Sequence, residues 1–292
     1  MNIGVSSYSL SAYLGQGHSI FEAIDRACEL GFDSMEFTDV YAPEGKDALK
    51  QAEEIRAYCK DKGIQITAYT VSADLLRDPE EFTEILTKKE LPIAQALGAT
   101  LFRHDVTRGY PDKKTFARGF EQNCMPVVVP AIQKITRIAK EMGIRTMSEN
   151  HGFYYQDVDS IERLINAVND ENYGLLFDMG NFFCGDDDPA AAAGRLAPYT
   201  FHVHAKDFFR RDREKTNPGD GWFRARNGNF LRGTIVGHGD VPVSSCLWLM
   251  HDHGYQGAYS IEFEGCEDNL YALRVGLQNM RRFAEETEGK NK

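Results

Sequence analysis

The sequence predicts an α/β barrel, a (β/α)8 architecture formed as one domain over residues 1–292. Three observations predict it. Short β-rich runs alternate strictly with stretches whose apolar residues recur at helical spacing, which implies parallel strands joined by right-handed crossovers. Glycine follows the early helical stretches at Gly31, Gly63, Gly98 and Gly143, where a helix C-cap is wanted. Eight such units in 292 residues match a closed barrel. No GxGxxG follows the first strand, so an open dinucleotide-binding sheet has no support.

In chain order, Asn2–Leu10 is a β-rich run ending in small polar residues, and Ser19–Leu30 is the first helix. Ser34–Asp39 is the second strand and Ala48–Lys62 its helix. Ile64–Ser72 pairs with helix Pro79–Leu97, and Thr100–Asp105 with Pro126–Met142. The fifth strand is Thr146–Gly152 (TMSENHG), followed by helix Val158–Val168. Tyr173–Asp178, Pro189–Leu196 and Thr200–Ala205 come next. Residues 208–240 lack periodicity and are rich in Arg, Gly and Asn, so they are expected as a long loop over the C-terminal mouth. Helix Val243–His253, strand Ala258–Phe263 and helix Asn269–Glu285 complete the set before the polar tail EGKNK.

The hydrophobic fraction of 42% supplies a sizeable core, and a net charge of −11 disfavours duplex nucleic acid and anionic membranes as partners. The six cysteines (Cys28, Cys59, Cys124, Cys184, Cys246, Cys266) show no CxxC and no close pairing, the pattern of reduced thiols in a cytosolic protein. MNIGVSSYSL enters a strand at once, without a basic n-region or a long apolar h-region. No stretch reaches the ~18 uninterrupted apolar residues of a membrane span. The expectation is a cytoplasmic protein with neither a nucleic-acid nor a membrane partner.

Four strands stop on ligand-type residues: Glu149 in TMSENHG, Asp178 in LLFDMGN, His204 in FHVHAKD and Glu262 in YSIEFEG. At the ends of strands five to eight of a barrel, these residues are neighbours around one rim. Without a cation, three ionised carboxylates packed with an imidazole repel one another and raise one another's pKa values. The set is therefore expected to hold one divalent metal ion. Oxygen-rich donors with a single nitrogen suit Mn²⁺ first, then Mg²⁺, Co²⁺ or Fe²⁺, with Zn²⁺ tolerated.

Other candidates surround this set. His151 follows Glu149 by two, so on an extended strand it points to the same side, as an acid/base or a contact to a substrate hydroxyl; the alternative is a histidine packed under the loop. Arg103 and His104 end strand four and face the predicted mouth as substrate contacts. Lys206 reaches substrate or neighbouring carboxylates, or else makes a surface ion pair. His202, deeper in its strand, suits the core. Tyr8, Glu36 and Tyr69 are pocket walls or structural residues. Trp222 and Phe223 close over a ring-shaped substrate or serve a subunit interface. The mixed charges of RRDREK (Arg210–Lys215), with no glycine-rich phosphate loop beside them, suit a solvated loop better than a phosphate clamp.

The runs SENHG, FDMGN and HVHAKD, and GHGDV before GYQGAYSIEFEG, resemble those of the xylose-isomerase-like TIM-barrel superfamily of sugar (phosphate) isomerases and epimerases. Ketose 3-epimerases and inosose dehydratase-like proteins are among the members it resembles. The likeness spans essentially the whole chain. It implies that Glu149, Asp178, His204 and Glu262 bind the metal, and that Glu149 and Glu262 also carry the substrate proton. It further implies a substrate contact for Arg210 and a homo-oligomer, a dimer or tetramer paired through the barrel mouths. Asn181 takes a substrate-contact position where many members have histidine, so their contacts do not transfer directly.

The activity implied is proton abstraction beside the carbonyl of a sugar or polyol, through a metal-stabilised enediolate, giving an isomer or epimer. The alternative is a lyase or dehydratase using the same enolate on an inosose or a 3-keto-glycoside. A nuclease of the endonuclease IV type needs three zinc ions and extra histidines, one of them at the Asn181 position. A non-enzymatic sugar-binding subunit has no use for an intact ligand set.

Overall fold

A computed structural model of the chain describes residues 1–109, 119–152, 154–212 and 216–289. Residues 213–215 of the RRDREK cluster and 290–292 of the polar tail lie outside the described residues. Eight parallel strands close into a barrel: β1 (Asn2–Ser6), β2 (Ser34–Phe37), β3 (Gln65–Val71), β4 (Leu101–His104), β5 (Arg145–Glu149), β6 (Tyr173–Asp178), β7 (Thr200–Ala205) and β11 (Ala258–Ile261). This is the (β/α)8 fold that the alternation predicts. Each strand lies beside its neighbour in the chain, and β11 returns to pair with β1 from Asn2↔Ala258 to Val5↔Ile261. Among the described residues, no helix is long and apolar enough to cross a membrane.

The contacts group the chain into two compact units, Met1–Met35 with Phe177–Lys292, and Glu36–Leu176. In the first unit, helix Ile20–Leu30 starts on a capping box in which Ser19 and Glu22 satisfy each other's backbone N–H groups, and it ends at Gly31 with φ 92°. Its apolar stripe, Ile20, Ala23, Ile24 and Ala27, is buried.

The segment expected as an irregular loop holds a second sheet. Strands β8 (Asp207–Arg211), β9 (Phe223–Arg224) and β10 (Phe230–Thr234) pair antiparallel in the order β8-β10-β9. Its strands carry both arginine and aromatic residues, and guanidinium groups stack on the rings. Arg232 lies 5.2 Å from the Phe209 ring centre and 5.4 Å from that of Trp222, and Arg211 lies 5.7 Å from Trp222. A hydropathy pattern counts these arginines as loop residues, which is why the sheet is illegible to it.

In the second unit, helix Ala48–Lys62 is capped by Asp47 and closed by Gly63. Two longer helical runs each carry a π turn just before a proline. Leu86–Glu90 precedes Pro92, and Phe120–Cys124 precedes Pro126. Proline has no N–H, and its ring collides with the carbonyl four residues back. The Leu91 and Met125 N–H groups reach five residues back, to Leu86 O and Phe120 O, which widens the ladder where the ring must fit. Helix Met125–Glu141 then buries Val128, Ala131, Ile132 and Ile135.

Candidate metal centre

In the first unit, β6 ends on Asp178, β7 carries His204 one residue before its end, and Glu262 directly follows β11. Asp178 Oδ1 accepts the Asn181 backbone N–H at 2.8 Å. Asp178 Oδ2 lies 3.6 Å from His204 Nδ1, and Glu262 Oε2 lies 3.5 Å from the same nitrogen.

Lys206, only 2% exposed, sets its ammonium among these groups. Nζ is 2.5 Å from Glu262 Oε2, 3.1 Å from Asp178 Oδ2 and 3.5 Å from Glu264 Oε1, and it donates to Asn181 Oδ1 at 3.3 Å. The lysine stem lies against Gly180 of the DMGN run. A Cβ there would come within 2.9 Å of both Lys206 Cγ and Phe208 Cε2, so the glycine makes room for the arm. Burial alone would raise the Glu262 carboxyl, but the Lys206 and His204 charges outweigh it and hold the group well below the usual carboxylate range. Burial together with the Glu264 and Glu262 charges pushes the Tyr8 phenol up to about 12.

In the second unit, Arg103 gathers two carboxylates. Its NH2 is 2.5 Å from Glu149 Oε2 and 2.7 Å from Asp105 Oδ1, while NH1 donates to Val71 O at 3.1 Å. His151 Nδ1 is 3.3 Å from the same Asp105 oxygen, and the imidazole is 46% exposed. Burial works to lower the His151 pKa. The hydrogen bond and charge of Asp105, with the charge of Glu149, outweigh it and raise the value. Strand β5 stops at Glu149, and His151 N turns back to Glu149 O at 2.8 Å. The alternation that would set His151 on Glu149's side therefore ends one residue too early, and the imidazole is placed instead by Asp105.

In the first unit Asp178, His204 and Glu262 each offer one buried ligand atom, and these atoms lie within 4.8 Å of one another. Two carboxylates and one imidazole at that spacing fit a divalent cation. In the second unit Glu149 offers a further buried carboxylate.

Other candidates have different surroundings. His104 is fully buried, its Nδ1 is 3.1 Å from Asp105 O, and burial pushes its pKa down to about 4, which makes it a neutral core histidine. The Arg210 guanidinium pairs with Asp212 at 2.5 Å and lies 5.2 Å from the Phe183 ring centre. Tyr69 donates to Glu90 at 2.9 Å inside the fold. Phe223 packs edge-on against Phe208, with ring centres 5.6 Å apart. A groove of about 870 Å³, lined by Thr83, Thr87, Pro126, Pro130 and Lys134 among others, shares no residue with these clusters.

Sequence reasoning missed Asp105 and Glu264 as site residues. Both stood one or two positions past residues already chosen, Asp105 after His104 and Glu264 after Glu262.

The chain belongs to the xylose isomerase-like TIM barrel family, whose model matches residues 24–283. Among curated relatives, it is similar to an inosose dehydratase of Clostridium perfringens, at 24% identity over 86% of this chain and 84% of that one. Among solved structures, it is similar to the probable 3-DHS dehydratase AsbF, involved in petrobactin synthesis, from Bacillus anthracis. The TM-score there is 0.74 at 19% identity, covering 96% of this chain and 99% of that one. It is also similar to a D-psicose 3-epimerase from Clostridium cellulolyticum H10, with TM-score 0.72 at 17% identity, covering 97% and 99%.

Proposed function

We propose that this protein is a divalent-metal-dependent dehydratase that removes water from a polyol ketone of the inosose class. The carrying observation is the Asp105–His151 pair beside a Glu149 already engaged by Arg103. Family resemblance puts epimerisation first, with two glutamates moving the proton. Here Glu149 Oε2 is held by Arg103, so that carboxylate keeps one oxygen for a cation and none for proton transfer. The inosose dehydratase relative supports the same choice.

In this reading Glu149, Asp178, His204 and Glu262 hold one divalent ion, Mn²⁺ for preference. When bound, it supplies a Lewis acid that polarises the substrate carbonyl. His151 takes the proton from the carbon beside the ketone through Nε2, because its Nδ1 is turned to Asp105. The electron pair moves into a carbon–carbon double bond as the hydroxyl on the next carbon leaves. His151 gives up its proton to that hydroxyl, and water is the second product. Lys206, Asn181 and Arg103 fix substrate oxygens and the carboxylates around them. His104, sealed in the core, and Arg210, turned to Asp212 and Phe183, are assigned no substrate contact. A single barrel domain, a homo-oligomer and a cytoplasmic location belong to the same reading.

Mn²⁺-loaded protein, incubated in D₂O with inososes, 3-keto-glycosides and ketoses and followed by NMR, tests the proposal. The expected result is a dehydrated, conjugated ketone from the inosose, with deuterium exchange beside its carbonyl abolished in Glu262→Gln. An epimer or isomer accumulating with no eliminated product would overturn the assignment in favour of epimerisation.

A further inference from the structure

Lys206 stands where a divalent cation is needed. Its ammonium is 3.1 Å from Asp178 Oδ2 and 2.5 Å from Glu262 Oε2. A singly and a doubly charged cation compete for these two oxygens at such distances, because they repel each other strongly in a buried site. Lys206 therefore moves off them when a divalent ion arrives, and it needs another anion within reach.

Glu264 is that anion. Its Oε1 is 3.5 Å from Nζ, farther than the two partners in contact but close enough to be reached by a small swing of the stem. One further feature holds it there. Strand β10 passes so near the Glu264 backbone that a Cβ on Gly233 would lie 2.3 Å from the Glu264 carbonyl oxygen. Asp178, Glu262 and Glu264 carry three negative charges against one ammonium plus one divalent cation, while Glu149 is already met by Arg103.

We propose that Glu264 is a positioning residue that receives the Lys206 ammonium when a divalent cation takes up Asp178 and Glu262; the inference rests on the metal reading above. Glu264 thereby keeps a charged lysine beside the metal without leaving it to compete for the ligands. Its neighbour Asn181, whose Oδ1 already accepts from Nζ at 3.3 Å, stays with the lysine in both positions.

The test is Mn²⁺ affinity, measured by calorimetry and by the electron-spin resonance of free Mn²⁺, in wild type, Glu264→Gln, Lys206→Met and the double variant. Glu264→Gln is expected to weaken Mn²⁺ binding about ten-fold while Lys206 is present, and by less than about three-fold in the Lys206→Met background. Lys206→Met alone is expected to tighten binding. An equal loss in both backgrounds would mean that Glu264 acts only as a nearby charge, and no loss in either would mean that it does nothing for the cation. Either result overturns the proposal. Failure of the metal reading is distinguishable, because wild type would then bind no stoichiometric Mn²⁺, or Asp178→Asn would leave its affinity unchanged. Thermal melts of each variant separate misfolding from lost affinity.

Discussion

Arg103 and Lys206 each gather carboxylates inside the protein, and they do it by different means. Arg103 is a fixed fork, bonded to the Val71 carbonyl while its other terminal nitrogen contacts Asp105 and Glu149. Lys206 is a point charge on a flexible stem, with four oxygens between 2.5 and 3.5 Å of Nζ. A planar guanidinium serves where geometry must not change, and an ammonium serves where a cation must be able to leave. The Arg103 cluster is thus suited to hold the acid/base pair, and the Lys206 cluster to exchange one cation for another.

That contrast can be broken most sharply at His151. His151→Gln is expected to lower kcat about 10²- to 10⁴-fold while leaving Mn²⁺ affinity within about three-fold. Asp178→Asn should instead collapse the affinity. Steady-state kinetics and metal titration on the two variants separate chemistry from cation binding, and equal losses of both quantities in both variants would erase the distinction.

Removing the fixed cation comes next. Arg103→Leu strands Asp105 and Glu149 without their shared partner and should cost about 3–5 kcal/mol of folding stability. Mn²⁺ should restore only the share that belongs to Glu149, since Asp105 is not among the proposed ligands. Lys206→Met should lose stability in chelator and regain most of it in Mn²⁺, because the metal contacts the same oxygens. Urea unfolding with and without Mn²⁺ compares the two, and equal rescue would show that both cations are exchangeable.

His104 adds a pH dependence. Its folded pKa is depressed to about 4 from an ordinary 6.5, so above pH 6.5 the neutral ring's full contribution is present. As pH falls from 6.5 to about 4, the unfolded chain takes up a proton that the folded chain refuses, and about 3 kcal/mol is lost. Urea unfolding across this window should show that slope in wild type and a flatter one in His104→Phe. The smallest effect is expected at Gly180→Ala, where the added methyl meets Lys206 and Phe208 and costs about 1–3 kcal/mol by thermal melt.

The barrel was legible because it depends on short-range order, and the strand ends that carry the four proposed ligands were legible for the same reason. A strand that ends on Glu149 or Asp178 announces itself through its apolar run and the polar residue after it. The helix ends were equally plain at Gly31 and Gly63, whose left-handed φ values favour glycine. What stayed hidden depended on partners distant in the chain. Nothing in TLFRHD says that Arg103 faces Glu149, which is 46 residues on, or that His104 is buried while Asp105 meets Arg103 and His151. The π turns were invisible because Pro92 and Pro126 look like ordinary helix positions until the carbonyl each displaces is found. The small sheet was missed for a chemical reason, since guanidinium-on-ring stacking does the packing that apolar side chains usually do.

Lys206 is the single residue between Ala205, the last of β7, and Asp207, the first of β8. Asp207 in turn grips the GHGDV run, accepting the N–H groups of Gly237, Gly239 and Val241 at 2.9, 2.8 and 3.1 Å. The ammonium-bearing arm therefore grows from the single link between a barrel strand and the small sheet. Any opening of that sheet tugs on one peptide link and loosens the ammonium's aim. Amide exchange along β8 would then act as a clock for how often the lysine is released.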